Sequence, residues 1–404
     1  MMTLPETATA FDLTDEQLML RNSVRTFAER EIRPIAHELD ARGEFHYDLV
    51  PKLAALGVFG SIFPAEYGGT HLDTLSYSLI LEELARVDSS VAATVASQVN
   101  LCGELIYRFG TDGQRRQWLV PLIQGTLLGG FGLTESGAGS DAGATATTAE
   151  LRGGEWVING SKCFITNAGT RLNEVVVVTL MTGKAPNGRK KISAIVVESS
   201  APGYRRGNLY KKMGWKSSAT AELFFEDCCV PRENLLGADG EGFKNFLTTL
   251  NLGRIAIASM GIGLAQGCLE MALDYARERQ QFGQRLSSFQ AIQFKLSDMA
   301  VKIELARLIT RRAAVLRDRG LPFAKEAAMA KLYAAEIATE VSHQALQIFG
   351  GMGFMDECPV SRFYRDARVL EIGEGTSEIQ RLIIARHLGC VGNGDAGVTE
   401  RTRG

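Results

Sequence analysis

Residues 155–166 have the sequence Glu155-Trp-Val-Ile-Asn-Gly-Ser-Lys-Cys-Phe-Ile-Thr166, in which two short aromatic and β-branched runs flank Asn159-Gly160. This composition is typical of β-strands. The Asn-Gly dipeptide readily supplies the positive φ angles of a type I′ turn, so we predict a hairpin centred on it. Phe164 and Thr166 are two positions apart and are therefore expected on the same side of the second strand.

The strand-like pattern extends outward from this hairpin, over about residues 129–227. Further β-branched runs lie at residues 175–180, 192–197 and 221–225, and turn-forming sequences such as that at 186–188 separate them. The composition predicts an antiparallel sheet. Strands and helices do not alternate along the chain, which argues against a parallel sheet of the Rossmann type.

Helical patterns lie on both sides of the predicted sheet. On the N-terminal side, Thr14 is a candidate N-cap, and helices are predicted at about 15–31, from Pro34, and at 49–56, 75–85, 91–109 and 114–122. On the C-terminal side, long helices are predicted at about 245–279, 289–318 and 322–349, followed by a shorter one at 377–388. Several helices well beyond the usual ~11–12 residues are typical of a helical bundle.

The order of these patterns predicts an α+β protein that is mostly α-helical. We expect an N-terminal helical domain over residues 1–128, a middle antiparallel β domain over 129–240 and a C-terminal helical bundle over 241–394, with a flexible tail at 395–404. Single hydrophobic cores stop growing near ~250–300 residues, so a chain of 404 residues is expected to form several domains.

Composition excludes several classes of protein. Lys and Arg number 44 against 46 Asp and Glu, a formal charge of −2 that argues against binding nucleic acid. The seven cysteines form no C-x-x-C pair, which disfavours disulfides or a metal site and fits a cytoplasmic location. Residues 1–14 do not resemble a secretory signal, and no run of ~18 apolar residues predicts a membrane span.

Two segments in the predicted sheet region have the composition of a ligand site. Phe131–Asp141 reads Phe-Gly-Leu-Thr-Glu-Ser-Gly-Ala-Gly-Ser-Asp, and its glycines and hydroxyls suit an anionic ligand such as a pyrophosphate. The same loop could instead be a turn that leads into the sheet. Residues 164–166, Phe-Ile-Thr, could provide a wall and a hydrogen bond for a flat ring, or a core Phe beside a β-favouring Thr.

Two further segments lie among the predicted C-terminal helices. Residues 277–283 end a long helix, for which Gly283 is the predicted C-cap. Arg279 in this segment is either a surface charge at the helix end or a phosphate ligand. Residues 347–354 contain three glycines, which either end a helix or allow the backbone to pass close to a ligand.

The fifth segment, residues 372–381, places Glu374 between two glycines ahead of the candidate N-cap Thr376. A single Glu in such a loop is ordinarily a solvated charge. Taken together and in this order, however, the five segments resemble the acyl-CoA dehydrogenase family. Residues 231–237 and 362–368 also fit the family, and the resemblance covers nearly the whole chain.

The resemblance implies an N-terminal helical domain, a middle β domain and a C-terminal four-helix domain, assembled as a homotetramer that binds FAD. The residues it implies for FAD from the sheet segments are Phe131, Leu133, Thr134, Ser140, Phe164, Ile165 and Thr166. Those it implies from the C-terminal helices are Arg279, Gln281, Phe282, Gln290, Gln347, Gly350, Gly351, Thr376 and Glu378, of which those from Arg279 to Gly351 would reach the FAD of a neighbouring subunit. Phe164 stands where the family commonly has Trp.

The resemblance also implies the catalytic base. Glu374 occupies the position of the catalytic glutamate of most of the family. One branch places its base on the long helix instead, at the position of Gly253, which cannot serve, so Glu374 is the candidate base. The positions expected on the substrate side are Ser140, Asn251, Arg254 and Gly375.

The acyl group itself is less constrained by the resemblance. Gly373 replaces a Tyr found in many relatives, and the missing side chain could widen the acyl pocket. The sequence Asn100-Leu101-Cys102 is similar to that of short branched-chain enzymes. The residues that lie where relatives line the acyl pocket are Val95, Ser97, Leu101 and Cys102, although the same residues could be ordinary helix packing.

The activity implied by the resemblance is α,β-dehydrogenation of an acyl-CoA to the trans-2-enoyl-CoA, in fatty acid or branched-chain amino acid catabolism. Glu374 would remove the α-proton, with its pKa raised by burial, and FAD N5 would accept the β-hydride. The Glu374 N–H and an FAD hydroxyl would bind the thioester oxygen.

An electron-transferring flavoprotein is the expected electron acceptor. Three alternatives are a dehydrogenase of carrier-protein-bound acyl chains, a flavin oxidase or monooxygenase on the same fold, and a non-enzymatic interaction protein that has kept the fold. The presence of Glu374 argues against the last of these.

Overall fold

The structure, a computed structural model, describes residues 12–390 of the chain. A helical region, a β-sheet and a second helical region follow one another in the predicted order. The tail predicted at 395–404 lies outside the described residues.

The N-terminal region is helical, as the sequence predicted. Its helices are α1 (Asp15–Phe27), α2 (Arg33–Arg42), α3 (Leu49–Ala55), α4 (Thr74–Ala85), α5 (Ser89–Ala96), α6 (Glu104–Phe109), α7 (Asp112–Gln114) and α8 (Val120–Ile123). Thr14 caps α1 in a reciprocal capping box with Gln17, which confirms the predicted start. A π-helical stretch, Ser97–Gly103, joins α5 to α6, so that residues 89–109 form one long helix.

The middle region is a seven-stranded sheet. Its strands are β1 (Leu128–Gly132), β2 (Thr148–Arg152), β3 (Glu155–Thr166), β4 (Asn173–Lys184), β5 (Lys190–Glu198), β6 (Tyr204–Leu209) and β7 (Thr220–Pro231). They are ordered β1-β4-β2-β3-β7-β6, with β5 also paired to β4. The pairing is mainly antiparallel, as predicted, but β4 is parallel to β1 and to β2, which the sequence pattern did not indicate.

The hairpin predicted at Asn159-Gly160 is wrong, because β3 runs through this dipeptide without reversing. The chain reverses instead between β2 and β3, where Gly153 and Gly154 have φ angles of 59° and 94°. Gly160 is needed for space, since a Cβ there would lie 2.6 Å from the Thr147 hydroxyl oxygen. The Asn159 amide is used in pairing with the neighbouring strand, where it donates to Asp227 over 3.0 Å.

The C-terminal region begins and ends close to the predicted helix bounds. It contains α9 (Gly242–Glu278), the short strands β8 (Gln280–Gln281) and β9 (Gln284–Arg285), α10 (Gln290–Asp318), α11 (Ala324–Phe349), α12 (Pro359–Leu370) and α13 (Ser377–His387). Helix α12 was not predicted. The prediction of Gly283 as a helix C-cap is wrong, because α9 ends at Glu278. Phe282 and Gly283 instead form the turn between β8 and β9, with φ angles of 52° and 78°.

Helix α9 lies at the centre of the molecule. It packs against α10 and α11 of its own region and against α4 and α5 of the N-terminal region. It is long and apolar enough to cross a membrane by composition, but 78% of its most apolar window is buried inside the protein, as in the core helix of a globular fold. The burial of α9 places residues 251–254 at the junction between the two helical regions.

Asp366 of α12 ties the three regions together. Its carboxylate accepts hydrogen bonds from the Trp215 backbone N–H, over 2.6 Å, and from the Ser89 hydroxyl, over 2.9 Å. Burial raises the pKa of Asp366 to about 7, although the adjacent Arg362 acts in the opposite direction. These bonds fix the segment between β6 and β7, the start of α5 and the helix that precedes Glu374 in one arrangement.

Candidate active site

Glu374 lies in the turn between α12 and α13. Glu374 and Gly375 both have positive φ angles, 52° and 91°. For Gly this conformation is free of strain, whereas a side chain there costs on the order of 1–3 kcal/mol, and such strain is typical of functional sites. Thr376 then caps α13 by accepting a hydrogen bond from the Ile379 N–H over 3.3 Å. The Glu374 Oε2 atom is buried without a hydrogen-bond partner in the protein.

The backbone of this turn is held by side chains from two helices. The Gly375 carbonyl accepts hydrogen bonds from Lys331 Nζ of α11, over 2.7 Å, and from Gln380 Nε2 of α13, over 2.8 Å. Gln380 also approaches the Glu374 carbonyl, at 3.4 Å. Lys331 has no exposed surface. The turn is therefore anchored from inside the protein, which restricts where the Glu374 side chain can point.

Gly253 of α9 provides the space for the carboxylate. A Cβ at this position would lie 2.0 Å from Glu374 Oε2. Burial raises the pKa of Glu374 to about 7, although the positive charges of Lys331 and Arg254 act in the opposite direction. A carboxyl group that titrates near neutrality is suited to act as a general base.

Arg254 follows Gly253 on α9 and lies beside the carboxylate. Its guanidinium donates a hydrogen bond to Asn251 Oδ1, and its Nε is buried without a partner. Burial lowers the pKa of Arg254 to about 10, while Glu374 acts to raise it, so Arg254 is charged at neutral pH. Three of the residues predicted for the substrate and the base thus lie together.

A polar pair borders the same space on the side of the N-terminal region. The Tyr77 hydroxyl of α4 donates to Asn100 Oδ1 over 2.7 Å. Asn100 Nδ2 has no partner and lies 3.4 Å from the point where a Cβ on Gly253 would stand. Sequence analysis missed Tyr77, because a Tyr within an apolar helical pattern gives no signal of a polar contact.

The sheet segments predicted to hold FAD lie next to each other. The loop after β1 and the end of β3 are joined by a hydrogen bond of 2.9 Å from the Cys163 N–H to the Thr134 carbonyl. The Phe164 ring is 64% exposed and lies 5.1 Å from the Tyr210 ring. Leu133 and Ile165 are buried, and the backbone of Leu133 is already engaged, since its N–H donates to the Phe131 carbonyl and its carbonyl accepts from Lys162. The structure thus brings together an exposed aromatic surface and the Gly-rich loop.

The Gly-rich loop has the properties that an anionic cofactor requires. A Cβ on Gly137 or Gly139 would have nothing within 4 Å, so the backbone is open to approach from outside. Ser136 and Ser140 are exposed. Open backbone N–H groups and hydroxyls beside an exposed aromatic ring fit a flavin with a phosphate-containing tail.

The second group of predicted FAD residues lies where α9 and α11 end and α10 begins, away from the part of these helices that contacts Glu374. Arg279, Gln281, Phe282, Gln290, Gln347, Gly350 and Gly351 are all exposed, and Phe282 is 94% exposed. Tyr275 stacks on Phe349 with ring centroids 4.3 Å apart, which joins the ends of α9 and α11. Within residues 12–390, no hydrogen bond, ion pair or ring contact joins this group to the sheet segments. Thr376 and Glu378 lie at the start of α13, next to Glu374.

Lys331 is a second residue that sequence analysis missed. It lies on the buried face of α11, four residues from each of Ala327 and Ala335, which are also fully buried. A Lys within the apolar face of an amphipathic helix is unusual, since lysines are rarely buried without a partner. This departure from the pattern is the signal that could have identified it.

Comparison with known proteins identifies the family. The profiles described as the acyl-CoA dehydrogenase N-terminal, middle and C-terminal domains match residues 14–126, 130–228 and 240–389. The chain belongs to the acyl-CoA dehydrogenase family. It is accordingly an FAD-dependent oxidoreductase of acyl-CoA thioesters, as the sequence predicted.

Individual relatives cover nearly the whole chain. The probable acyl-CoA dehydrogenase YngJ of Bacillus subtilis is 52% identical over 94% of this chain and 99% of its own. The mitochondrial short-chain specific acyl-CoA dehydrogenase of Rattus norvegicus is 47% identical over 93% of this chain and 91% of its own. The solved structure of butyryl-CoA dehydrogenase from Megasphaera elsdenii is 42% identical, with a TM-score of 0.91 over 94% of this chain and all of that one.

Proposed function

We propose that this protein dehydrogenates short-chain acyl-CoA thioesters and that Glu374 is the base that removes the α-proton. The observation that carries the base assignment is the buried Oε2 atom of Glu374, which has no hydrogen-bond partner in the protein and whose carboxyl interacts electrostatically with the buried cations Lys331 and Arg254. The preference for a short acyl chain is supported by relatives that this protein matches over nearly their whole sequence and whose names state short-chain or butyryl-CoA specificity.

The residues of the chain supply position and proton transfer. The Glu374 backbone N–H forms no hydrogen bond within the described part of the protein, so it is available to bind the thioester oxygen. The adjacent carboxylate would then face the α-carbon and take its proton as that oxygen gains charge. Arg254 and Lys331 favour the ionised form of the carboxyl, which is the form that can accept a proton.

FAD would be held by the exposed Phe164 ring, the Thr134, Ser140 and Thr166 hydroxyls, and the open backbone around Gly137. When bound, FAD supplies the acceptor for the hydrogen that leaves the β-carbon. We propose that the exposed residues at the ends of the long helices contact the FAD of a neighbouring subunit, because within residues 12–390 no hydrogen bond, ion pair or ring contact joins them to the sheet segments. They are Arg279, Gln281, Phe282, Gln290, Gln347, Gly350 and Gly351.

An apolar surface on α10 supports assembly into a homo-oligomer, which we propose to be a tetramer. Phe294, Val301, Leu305 and Leu308 recur at helical spacing and are between 36% and 63% exposed. The opposite face of α10, which includes Ile303 and Ala306, is buried in the bundle. A second apolar face of this kind is typical of a subunit contact. Electron-transferring flavoprotein is the proposed acceptor and the cytoplasm the proposed location.

The direct test is an anaerobic titration of the purified holoenzyme with saturated acyl-CoAs of different chain length and branching, followed by the visible flavin spectrum. We expect butyryl-CoA to bleach the flavin fastest. Rapid bleaching only by long-chain or branched acyl-CoAs would contradict the proposed substrate. A carrier-protein thioester included in the series distinguishes that alternative.

The base assignment is tested separately with E374Q. This variant keeps the shape of the side chain but cannot accept the proton, so we expect FAD to be retained and turnover to fall by a factor of at least about 10². Turnover at the wild-type rate in E374Q would exclude Glu374 as the base.

A further inference from the structure

Lys331 is a fully buried titratable group on α11, and it takes no proton in the mechanism above. Its Nζ donates to the Gly375 carbonyl over 2.7 Å, the peptide that directly follows Glu374. Burying an ammonium group costs several kcal/mol unless an anion compensates it, so its retention there calls for a nearby negative charge.

The charges around Lys331 come from three elements. They are Arg254 on α9, Glu371 and Glu374 in the segment after α12, and Glu378 on α13; Tyr77 on α4 also lies near Glu374. Glu371 is paired with Arg368 over 2.6 Å, and Glu378 is exposed. Glu374 is therefore the buried carboxylate left to balance Lys331.

We infer that Lys331 is a positioning residue of the catalytic turn, which fixes the Gly375 peptide and stabilises the ionised carboxylate of Glu374. The inference rests on the proposed role of Glu374 as the base. Arg254 also favours the ionised carboxylate, but in the described part of the chain it forms no hydrogen bond to the backbone of the turn, whereas Lys331 does. Lys331 approaches from the backbone side of the turn, and it can therefore set both the orientation of the turn and the charge state of its side chain.

Lys331 carries its positive charge at neutral pH. Burial lowers the pKa of Lys331 to about 8, while Glu374 acts to raise it. The ammonium form therefore predominates at neutral pH. Removing this charge leaves the burial of Glu374 less compensated, so the pKa of Glu374 must rise.

The test compares holoenzymes of the wild type, K331M and K331Q by measuring kcat/KM for butyryl-CoA from pH 6 to pH 9 with an electron-accepting dye. A neighbouring charge shifts a pKa by about one unit or more, so both variants should move the acid limb to higher pH by about one unit. This corresponds to about a tenfold loss at pH 6.5 and recovery towards the wild-type value at pH 9. K331Q keeps a hydrogen-bond donor for Gly375 and should retain more of the limiting rate than K331M.

K325M is the matched control, because Lys325 is on the same helix but is partly exposed and forms an ion pair with its sequence neighbour Glu326. Its pH profile should equal that of the wild type. If the acid limb of the pH profile in both Lys331 variants lies at the wild-type position while E374Q is inactive, the inference is overturned and the proposed function is left intact. An active E374Q would remove the basis of both.

Discussion

At the scale of single residues, the candidate site depends on the fit of the Glu374 side chain against a position that has no side chain. Glu374 extends from a strained turn into a space that exists because Gly253 has no side chain. The two residues are more than a hundred positions apart, on the turn before α13 and on α9. The carboxylate is therefore placed by the packing of two elements and not by the sequence around it.

G253A should place a methyl group 2.0 Å from the present position of Glu374 Oε2. The carboxylate would have to move, and we expect kcat/KM to fall by at least about 10², because misplacing a reacting group by about 1 Å has an effect of this size. FAD content should stay unchanged, since Gly253 is not among the proposed cofactor residues.

G113A is the matched control for this substitution. A Cβ on Gly113 would meet only the Thr111 hydroxyl, at 3.9 Å, so activity should be that of the wild type. Wild-type kcat/KM in G253A would contradict the arrangement of Glu374 described here.

At the scale of elements, a buried ion pair connects the two segments proposed to hold the flavin. Lys162 of β3 has no exposed side chain and donates to Glu135 of the Gly-rich loop over 2.7 Å. Lys162 also donates to the Leu133 carbonyl over 3.2 Å, and Glu135 accepts from Thr145 and from the Ala146 N–H. Each residue is thus satisfied only while the loop lies against β3.

E135Q should lower the free energy of unfolding by about 3–5 kcal/mol, because it leaves Lys162 as a buried charge without an anion. The matched control is E150Q, whose partner Arg152 is exposed, and which should leave the free energy of unfolding nearly unchanged because exposed ion pairs contribute little. Denaturant unfolding and FAD retention measure the two effects. Equal stability of the two variants would show that the buried pair does not hold the loop.

The same pair predicts an acid dependence of stability. Burial alone would raise the pKa of Glu135, but its bonds to Lys162 and Thr145 lower it to about 2, from an ordinary value of 4.5. A lowered pKa in the folded state means that this stabilisation is complete above about pH 4.5 and is lost as the pH falls towards 2. E135Q should therefore show a weaker decline in stability over this range than the wild type.

At the scale of the whole molecule, two exposed surfaces lie in the same C-terminal region. One is the apolar face of α10, and the other is the group of predicted FAD residues at the helix ends, which includes Arg279, Phe282 and Gly351. In a single protomer, the described part of the chain covers neither of these two surfaces. If subunits pack through α10, the same contact can bring the exposed group of one subunit to the flavin segments of another.

L305D should disrupt this contact, since it places a charge in the apolar face of α10. We expect light scattering to show a smaller species, and FAD to be lost along with the assembly. L151D is the control, because Leu151 is similarly exposed, at 44% against 50%, but lies on β2. R279A should weaken FAD retention without changing the mass. An unchanged mass for L305D would exclude α10 as the contact.

The elements of this protein could be predicted from local sequence because local forces form them. The capping box at Thr14, the periods of α9, α10 and α11, and the β-branched runs of the sheet act over a few residues. Asn159-Gly160 is one exception: its local preference for a turn was overridden by the close approach of Thr147 and by pairing with Asp227. The family resemblance likewise indicated Glu374, since its neighbours in sequence are distinctive.

Only the tertiary structure decided the environment of Glu374. Gly253, Lys331, Tyr77 and Arg254 come from three helices, and no local pattern relates them. Burial raises the pKa of Glu374 to about 7 against the opposing effect of the two cations, and all of these contributions are properties of the packed interior. Sequence alone therefore indicated the proposed base, whereas the dielectric and charges that bring its pKa near neutrality exist only after the helices have packed, because electrostatic interactions depend on distance in space and not along the chain.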